Sequence, residues 1–184
     1  MKNKKYTYKK YLKNMLGNGR KKKQNKSNYS KKYVPDYLSN SNKKKAIKEL
    51  NKSRKLYKKG IYYQRKKIKG YKPKKSNHLK KVQDLYGIDI VKPSKELAKA
   101  TGCDIKGLRE IESKGMGAFF SSGSRVSQTP QSWGRARLAS TITGGKASKV
   151  DYHILEKYCK KNSLTLKLAK KIEANSKSII KNKI

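Results

Sequence analysis

Acidic residues are scarce in this chain. Eleven Asp and Glu stand against 51 Lys and Arg in 184 residues, a formal net charge of +40. So few carboxylates leave no obvious pair for acid–base catalysis and no cluster for a hard metal ion. Histidine is rarer still: His78 and His153 are the two present, far apart in sequence, and no His/Cys spacing fits a zinc site. Two cysteines, Cys103 and Cys159, make no disulfide framework and read as reduced, half-buried small hydrophobes in a reducing compartment. No apolar run approaches the roughly 18 residues of a membrane span. The start, Met1-Lys2-Asn3-Lys4-Lys5-Tyr6, has no apolar stretch behind its basic residues and is not a secretory signal. One Trp and two Phe supply only a small core. These shortages point away from an enzyme, a cofactor and a metal. A Ser/Lys pair says nothing, because both residues are everywhere.

What is present is positive charge, unevenly spread. Residues 1–81 hold 31 of the 51 Lys and Arg and 2 of the 11 acids. Such a field attracts anions and repels a second copy of the chain, so the expected working state is a complex with a polyanion. Tyrosines are interleaved with the lysines: Tyr6, Tyr8, Tyr11, Tyr29, Tyr33, Tyr37, Tyr57, Tyr62, Tyr63 and Tyr71. Lysines neutralise phosphates and release counterions. Tyrosine rings stack on unpaired bases or fill protein grooves. Residues 1–75 are therefore expected as a basic, Tyr-rich arm, extended or disordered. Its candidate polyanion contacts are Lys21, Lys22, Lys23, Arg54, Arg65, Lys66 and Lys67. A short amphipathic helix near 43–58 is expected within it, capped by Asn42 and carrying Ile47, Leu50 and Tyr57 on one face.

Residues 76–175 read as a small helical domain of about five short helices, and residues 176–184 as a basic tail. The fold class is thus mostly α. Ser76 and Gly87 bracket a helix with Leu79, Val82 and Leu85 inward. Ser94 to Ile111 has the spacing of a helix-turn-helix pair, with Leu97-Ala98, Gly102 in the turn, then Leu108 and Ile111. As a DNA reader its second helix would carry Asp104, Glu110 and Glu112 near phosphates, which argues for a structural hairpin instead. That helix is expected to stop at Gly115, followed by a small-residue loop over 117–128. Ala118-Phe119-Phe120 is the one strand candidate. Thr129-Pro130 starts the next helix, which ends at Gly144-Gly145. Asp151 caps another with Ile154, Leu155 and Tyr158 inward. The last begins near Ser163 and carries Leu164, Leu168 and Ile172.

Three stretches of this domain suit an anion. In Ser121-Ser-Gly-Ser124-Arg125, small residues let backbone N–H groups converge and Arg125 close on a phosphate. The alternative is a tight turn with Arg125 paired to a carboxylate such as Asp151. In Trp133-Gly-Arg135-Ala-Arg137, Trp133 reads as the structural anchor of the core, with Arg137 one turn on, able to stack on the indole. Arg135 points off that face. Lys146, in Gly144-Gly-Lys-Ala-Ser148, lacks the first Gly and the preceding strand of a nucleotide-binding loop. The candidate nucleic-acid or anion contacts are thus Ser121, Ser122, Ser124, Arg125, Arg135, Arg137 and Lys146.

The run Gly115-x-Gly117-Ala118-Phe119, Gly123-Ser124-Arg125, Gln128-Thr129, Trp133-x-x-Ala136-Arg137 and Gly144-Gly145-Lys146 resembles a small domain of unknown function. That domain occurs in proteins of giant DNA viruses and, more divergently, of tailed phages. Viral relatives commonly carry Pro after the Gly-Ser-Arg, where this chain has Val126. The resemblance implies no established activity; it implies a viral setting, in the virion and, during assembly, in the host cytoplasm at the viral factory. The expectation is a non-enzymatic, virion-associated polycation that binds nucleic acid without sequence specificity, packaged viral DNA above all. The alternatives are a minor capsid or scaffold protein whose arm threads between capsid subunits, and an RNA-binding protein.

Overall fold

The structure, a computed structural model, describes residues 29–72, 76–125 and 127–181, with side chains to residue 174. Lys21, Lys22 and Lys23 lie outside the described residues. Residues from Lys31 onward form one compact unit, and it takes in the second half of the expected arm. Eight helices are present among the described residues, with no strand beyond one isolated antiparallel bridge. They are α1 (Asn40–Tyr57), α2 (Asn77–Tyr86), α3 (Lys95–Thr101), α4 (Ile105–Ser121), α5 (Pro130–Ile142), α6 (Lys146–Val150), α7 (Tyr152–Tyr158) and α8 (Leu164–Lys181). No described helix is long and apolar enough to cross a membrane.

The helix starts follow from local chemistry. Ser76, Ser94, Asp104 and Thr129 each accept a hydrogen bond from a backbone N–H of the first turn. Each thereby satisfies a donor that the helix itself leaves orphaned. Thr129 goes further: Ser132 returns a bond to its backbone, and Pro130 occupies the first turn. α1 starts earlier than expected because Ser39 is the cap. Asn42 instead donates to the Lys69 carbonyl at 3.0 Å. The buried face of α1 is accordingly Ala46, Leu50 and Ser53, with Ile47 only partly covered.

The core gathers Val82, Leu97, Leu108, Ile111, Leu138, Ile142, Ile154 and Leu155, all at most 1% exposed. Leu79 and Leu85, expected inward, are 44% and 41% exposed. Val82 holds the α2 contact, and Tyr86 donates to the Ile142 carbonyl at 2.7 Å. Leu164 also turns out, and α8 packs through Thr165, Leu166 and Ala169. Its helix continues through Lys181, past the expected start of a tail at 176.

The largest departure from the sequence reading is α4. Gly115 does not end it; the helix runs on through Ala118-Phe119-Phe120 to Ser121. That removes the expected loop from 117 and the strand candidate. The glycine serves a close crossing instead. A Cβ on Gly115 would lie 2.7 Å from the Gly134 Cα, and one on Gly134 would lie 2.8 Å from the Glu112 carbonyl. α4 and α5 approach backbone to backbone there, and a side chain on either would force them apart. Gly107 is closed against Tyr158, where a Cβ would lie 2.5 Å from Tyr158 Cβ, while the cap Asp104 and Lys106, Arg109 and Glu110 of the same helix are exposed.

Residues 31–72 fold back over the C-terminal end of α4. Val34, Leu38 and Leu50 are buried. Tyr57 stacks on Phe120 at 6.1 Å, and Tyr62 meets the same ring edge-on at 5.3 Å. Tyr57 is half-buried in this contact, and Tyr62 remains 70% exposed.

The cysteines are not reduced hydrophobes. Cys103 and Cys159 are joined by a disulfide. They sit directly opposite in the antiparallel bridge, where Asp104 N donates to Tyr158 O and Lys160 N to Gly102 O. In such a non-hydrogen-bonded pair the side chains face each other across a short gap. The bond ties the α3–α4 turn to the α7–α8 turn, closing a loop of sequence separation 56.

Two outcomes test this packing. Gly134→Ala should cost about 1–2 kcal/mol, because overpacking outweighs the gain in helix propensity. The readout is a lower urea midpoint at unchanged slope. Reduction, or Cys103→Ser with Cys159→Ser, should remove about 4 kcal/mol by the loop-entropy argument, seen as a lower midpoint under dithiothreitol.

Candidate anion-binding cleft

A cleft of about 970 Å³ opens between the α5 face, the loop after α4 and the segment around Lys32. Its walls carry five cations: Lys32, Arg125, Arg135, Arg137 and Lys146, against one carboxylate, Asp89. α5 supplies Arg135 and Arg137, the α4–α5 loop Arg125, and the first residue of α6 Lys146. Trp133 lies on the wall, half-buried, and is not the core anchor expected from the sequence. Leu138, Ala139 and Ile142 fill the core from the opposite side of α5. Tyr33 meets the indole edge-on at 6.3 Å, and Lys32 Nζ sits 5.1 Å from its ring centroid.

Lys32 titrates below its ordinary value: burial lowers it first, then the positive charges of Arg125 and Lys146. Three cations from three separate segments therefore share a space close enough to repel one another. His78, also on the wall, is held below its usual value by burial and then by Lys81. Thr143 Oγ1 donates to the Ala139 carbonyl, so the His78 Nδ1–H donates to Thr143 at 2.9 Å. In the neutral ring this places the proton on Nδ1, beside the Gly144–Gly145 turn.

The sequence candidates separate into three groups. Ser122, Arg125, Arg135, Arg137 and Lys146 line the cleft. Arg137 is committed to another partner: its Nε and Nη2 donate to the two oxygens of Asp151 at 2.8 and 2.6 Å. Asp151 does not cap α7 with its side chain; it is fully buried and also accepts from Thr141 at 3.0 Å, with Lys114 at 3.3 Å. Its counterion is therefore Arg137, and Arg137 does not stack on Trp133. The remaining candidates serve the loop from behind or stand apart. Arg54 donates to the Ser122 carbonyl, and Arg65 donates to Ser124 Oγ while lying 4.1 Å over Phe119. Ser124 is 2% exposed and turned into this grip. Burial and then the neighbouring Arg54 lower Arg65 to about 10, so it remains a cation at neutral pH. Ser121 is exposed at the end of α4, and Lys66 and Lys67 are exposed beyond α1, away from the cleft lining.

Sequence reasoning missed Lys32, Tyr33 and His78 as cleft residues. Lys32 and Tyr33 were counted as generic arm, and only the fold-back of residues 31–72 brings them to Trp133. The model of a family of unknown function, DUF5824, matches residues 31–162. The chain belongs to this family. The match begins where the compact unit begins, and the DUF5824 segment contains every residue of the cleft. No curated protein and no solved structure matches the chain.

Asp151→Asn should destabilise the DUF5824 fold by about 3–5 kcal/mol, because it leaves a half-buried guanidinium without its charge partner. The pH dependence has a definite sign. Burial alone would raise Asp151, but the bonds and charge of Arg137, with Thr141 and Lys114, hold it below 3.8. Its contribution is full above pH 3.8 and is lost as pH falls through the lower folded value. The acid-unfolding midpoint of the wild type should therefore lie lower than that of Arg137→Gln, in which Asp151 loses its bidentate partner and keeps only Thr141 and Lys114.

Proposed function

We propose that this protein is a non-enzymatic, virion-associated polycation that binds nucleic acid without sequence specificity, packaged viral DNA in the first instance. The observation that carries this reading is the cleft: beside Arg137, which pairs with Asp151, four further cations and one carboxylate line it. The net charge of +40 supplies long-range attraction and counterion release. The cleft supplies a place where phosphates are held in a fixed geometry. The exposed face of α4 carries Asp104 and Glu110 beside Lys106 and Arg109, and carboxylates facing phosphates disfavour it as a groove reader, which favours binding by charge over reading of sequence. The Cys103–Cys159 bond fits a particle, since disulfides persist on virions and outside the reducing cytosol. The resemblance to giant-virus and phage proteins supplies the viral setting.

A second reading has one observation in its favour. Tyr57 stacks on a protein ring, Phe120, the kind of contact that the tyrosines of an arm threaded between capsid subunits would make. The two readings differ in salt response. Binding of the full chain to random-sequence duplex DNA should fall steeply and linearly on a log–log salt plot. Lys146→Ala, at an exposed position, should reduce that slope by about one and change stability by less than about 0.5 kcal/mol. A slope near zero, or tight salt-resistant association with a capsid protein in its place, would favour the threaded arm.

A further inference from the structure

We infer that the cleft is a site for an unpaired nucleotide of a single strand, with the base stacked on Trp133 and its flanking phosphates held by Lys32, Arg125 and Lys146. This rests on the nucleic-acid reading above and narrows it to a ligand class and a site. Duplex DNA offers the cleft phosphates but keeps its base faces stacked inside. Only an unpaired base presents a ring face, and stacking on an aromatic side chain is how single strands are held without sequence reading.

Three features of the wall bear on this. Trp133 is the single tryptophan of the chain, and it lies at the cleft, not in the core. Indole with Tyr33 set edge-on against it gives a two-ring aromatic wall. Lys32 rests over the indole at 5.1 Å while Arg125 and Lys146 repel it. The ring quadrupole attracts the ammonium. A phosphate entering between the three cations removes the repulsion and draws Lys32 to itself, which opens the indole face to the attached base. Base and phosphate then bind as one unit. The space is sufficient: about 970 Å³ lies at the upper end of sites that enclose small organic ligands. Elsewhere on the lining, Gln128, Ser132 and Ser140 offer polar groups to a base edge. Gln128 already accepts from Ser132 at 2.8 Å.

Trp133 makes the test direct, because the intrinsic fluorescence of the unmodified full chain reports on this one wall. Emission should be followed during titration with short oligothymidylate, with the oligouridylate of equal length, with a duplex of equal length and with inorganic polyphosphate. Binding of each labelled nucleic acid should be followed in parallel by anisotropy. The expected result is strong quenching by a single strand and little by duplex or polyphosphate, although both also bind. A response to either sugar supports the site, and the larger one identifies it as DNA or RNA. Trp133→Leu should weaken single-strand binding about tenfold or more and duplex binding less than about twofold. Lys32→Gln should weaken single-strand binding with Trp133 in place. Nucleic acid that binds by anisotropy without moving the emission overturns this inference and leaves the general reading standing. Equal quenching by duplex and polyphosphate also overturns it, since the cleft would then answer to phosphate alone. Absence of nucleic-acid binding at low salt overturns both.

Discussion

The close approach of α4 and α5 at Gly115 and Gly134 is the constraint on which the rest of this structure depends. Two backbones in contact fix the relative rotation of the helices. That rotation sends Leu138 and Ile142 into the core and leaves Trp133 on the opposite side of α5. It also fixes where α4 ends, and so where the Ser122–Arg125 loop emerges. The buried Arg137–Asp151 pair then locks α5 to the start of α7, with Thr141 and Lys114 completing the carboxylate's partners. A buried ion pair contributes little net stability, but breaking one is costly, so such a pair is well suited to holding one arrangement against others.

Charge is the second constraint. With 11 carboxylates for 51 cations, internal pairing cannot neutralise the chain. Asp151 absorbs Arg137; Arg54 and Arg65 are satisfied by the Ser122 carbonyl and the Ser124 hydroxyl, gripping the loop from behind. These arginines serve the architecture. Lys32, Arg125, Arg135 and Lys146 line the cleft. The DUF5824 segment thus divides its basic residues between building the cleft and charging it, and the proposed nucleic-acid ligand supplies the opposite sign.

Elements governed by near neighbours were legible in the sequence. Ser76, Asp104 and Thr129-Pro130 announce helix starts through chemistry confined to one turn, and Gly87 and Gly102 announce stops in the same way. Arg125, Arg135 and Lys146 were read from the sequence as anion contacts in three separate motifs; that one cleft gathers them was not legible. What escaped depends on partners distant in sequence. Gly115 looks like a stop until Gly134 is opposite it. Asp151 looks like a cap until Arg137 reaches it, and Cys103 looks unpaired until the bridge brings Cys159 across. Trp133 looks like a core residue because a lone Trp usually is one; the core instead closes with aliphatic side chains. Lys32 and Tyr33 were hidden by composition, since a Lys- and Tyr-rich stretch carries no signal of where it will fold back.

Photocrosslinking of the full chain to a single-stranded oligonucleotide carrying bromodeoxyuridine, with the adducts mapped by mass spectrometry, tests the central claim most directly. Stacking in the cleft predicts adducts at Trp133 or Tyr33 that disappear when excess unlabelled single strand competes. Adducts confined to residues 1–28, with none at either cleft aromatic, would contradict it and leave the cleft as a feature of the fold alone.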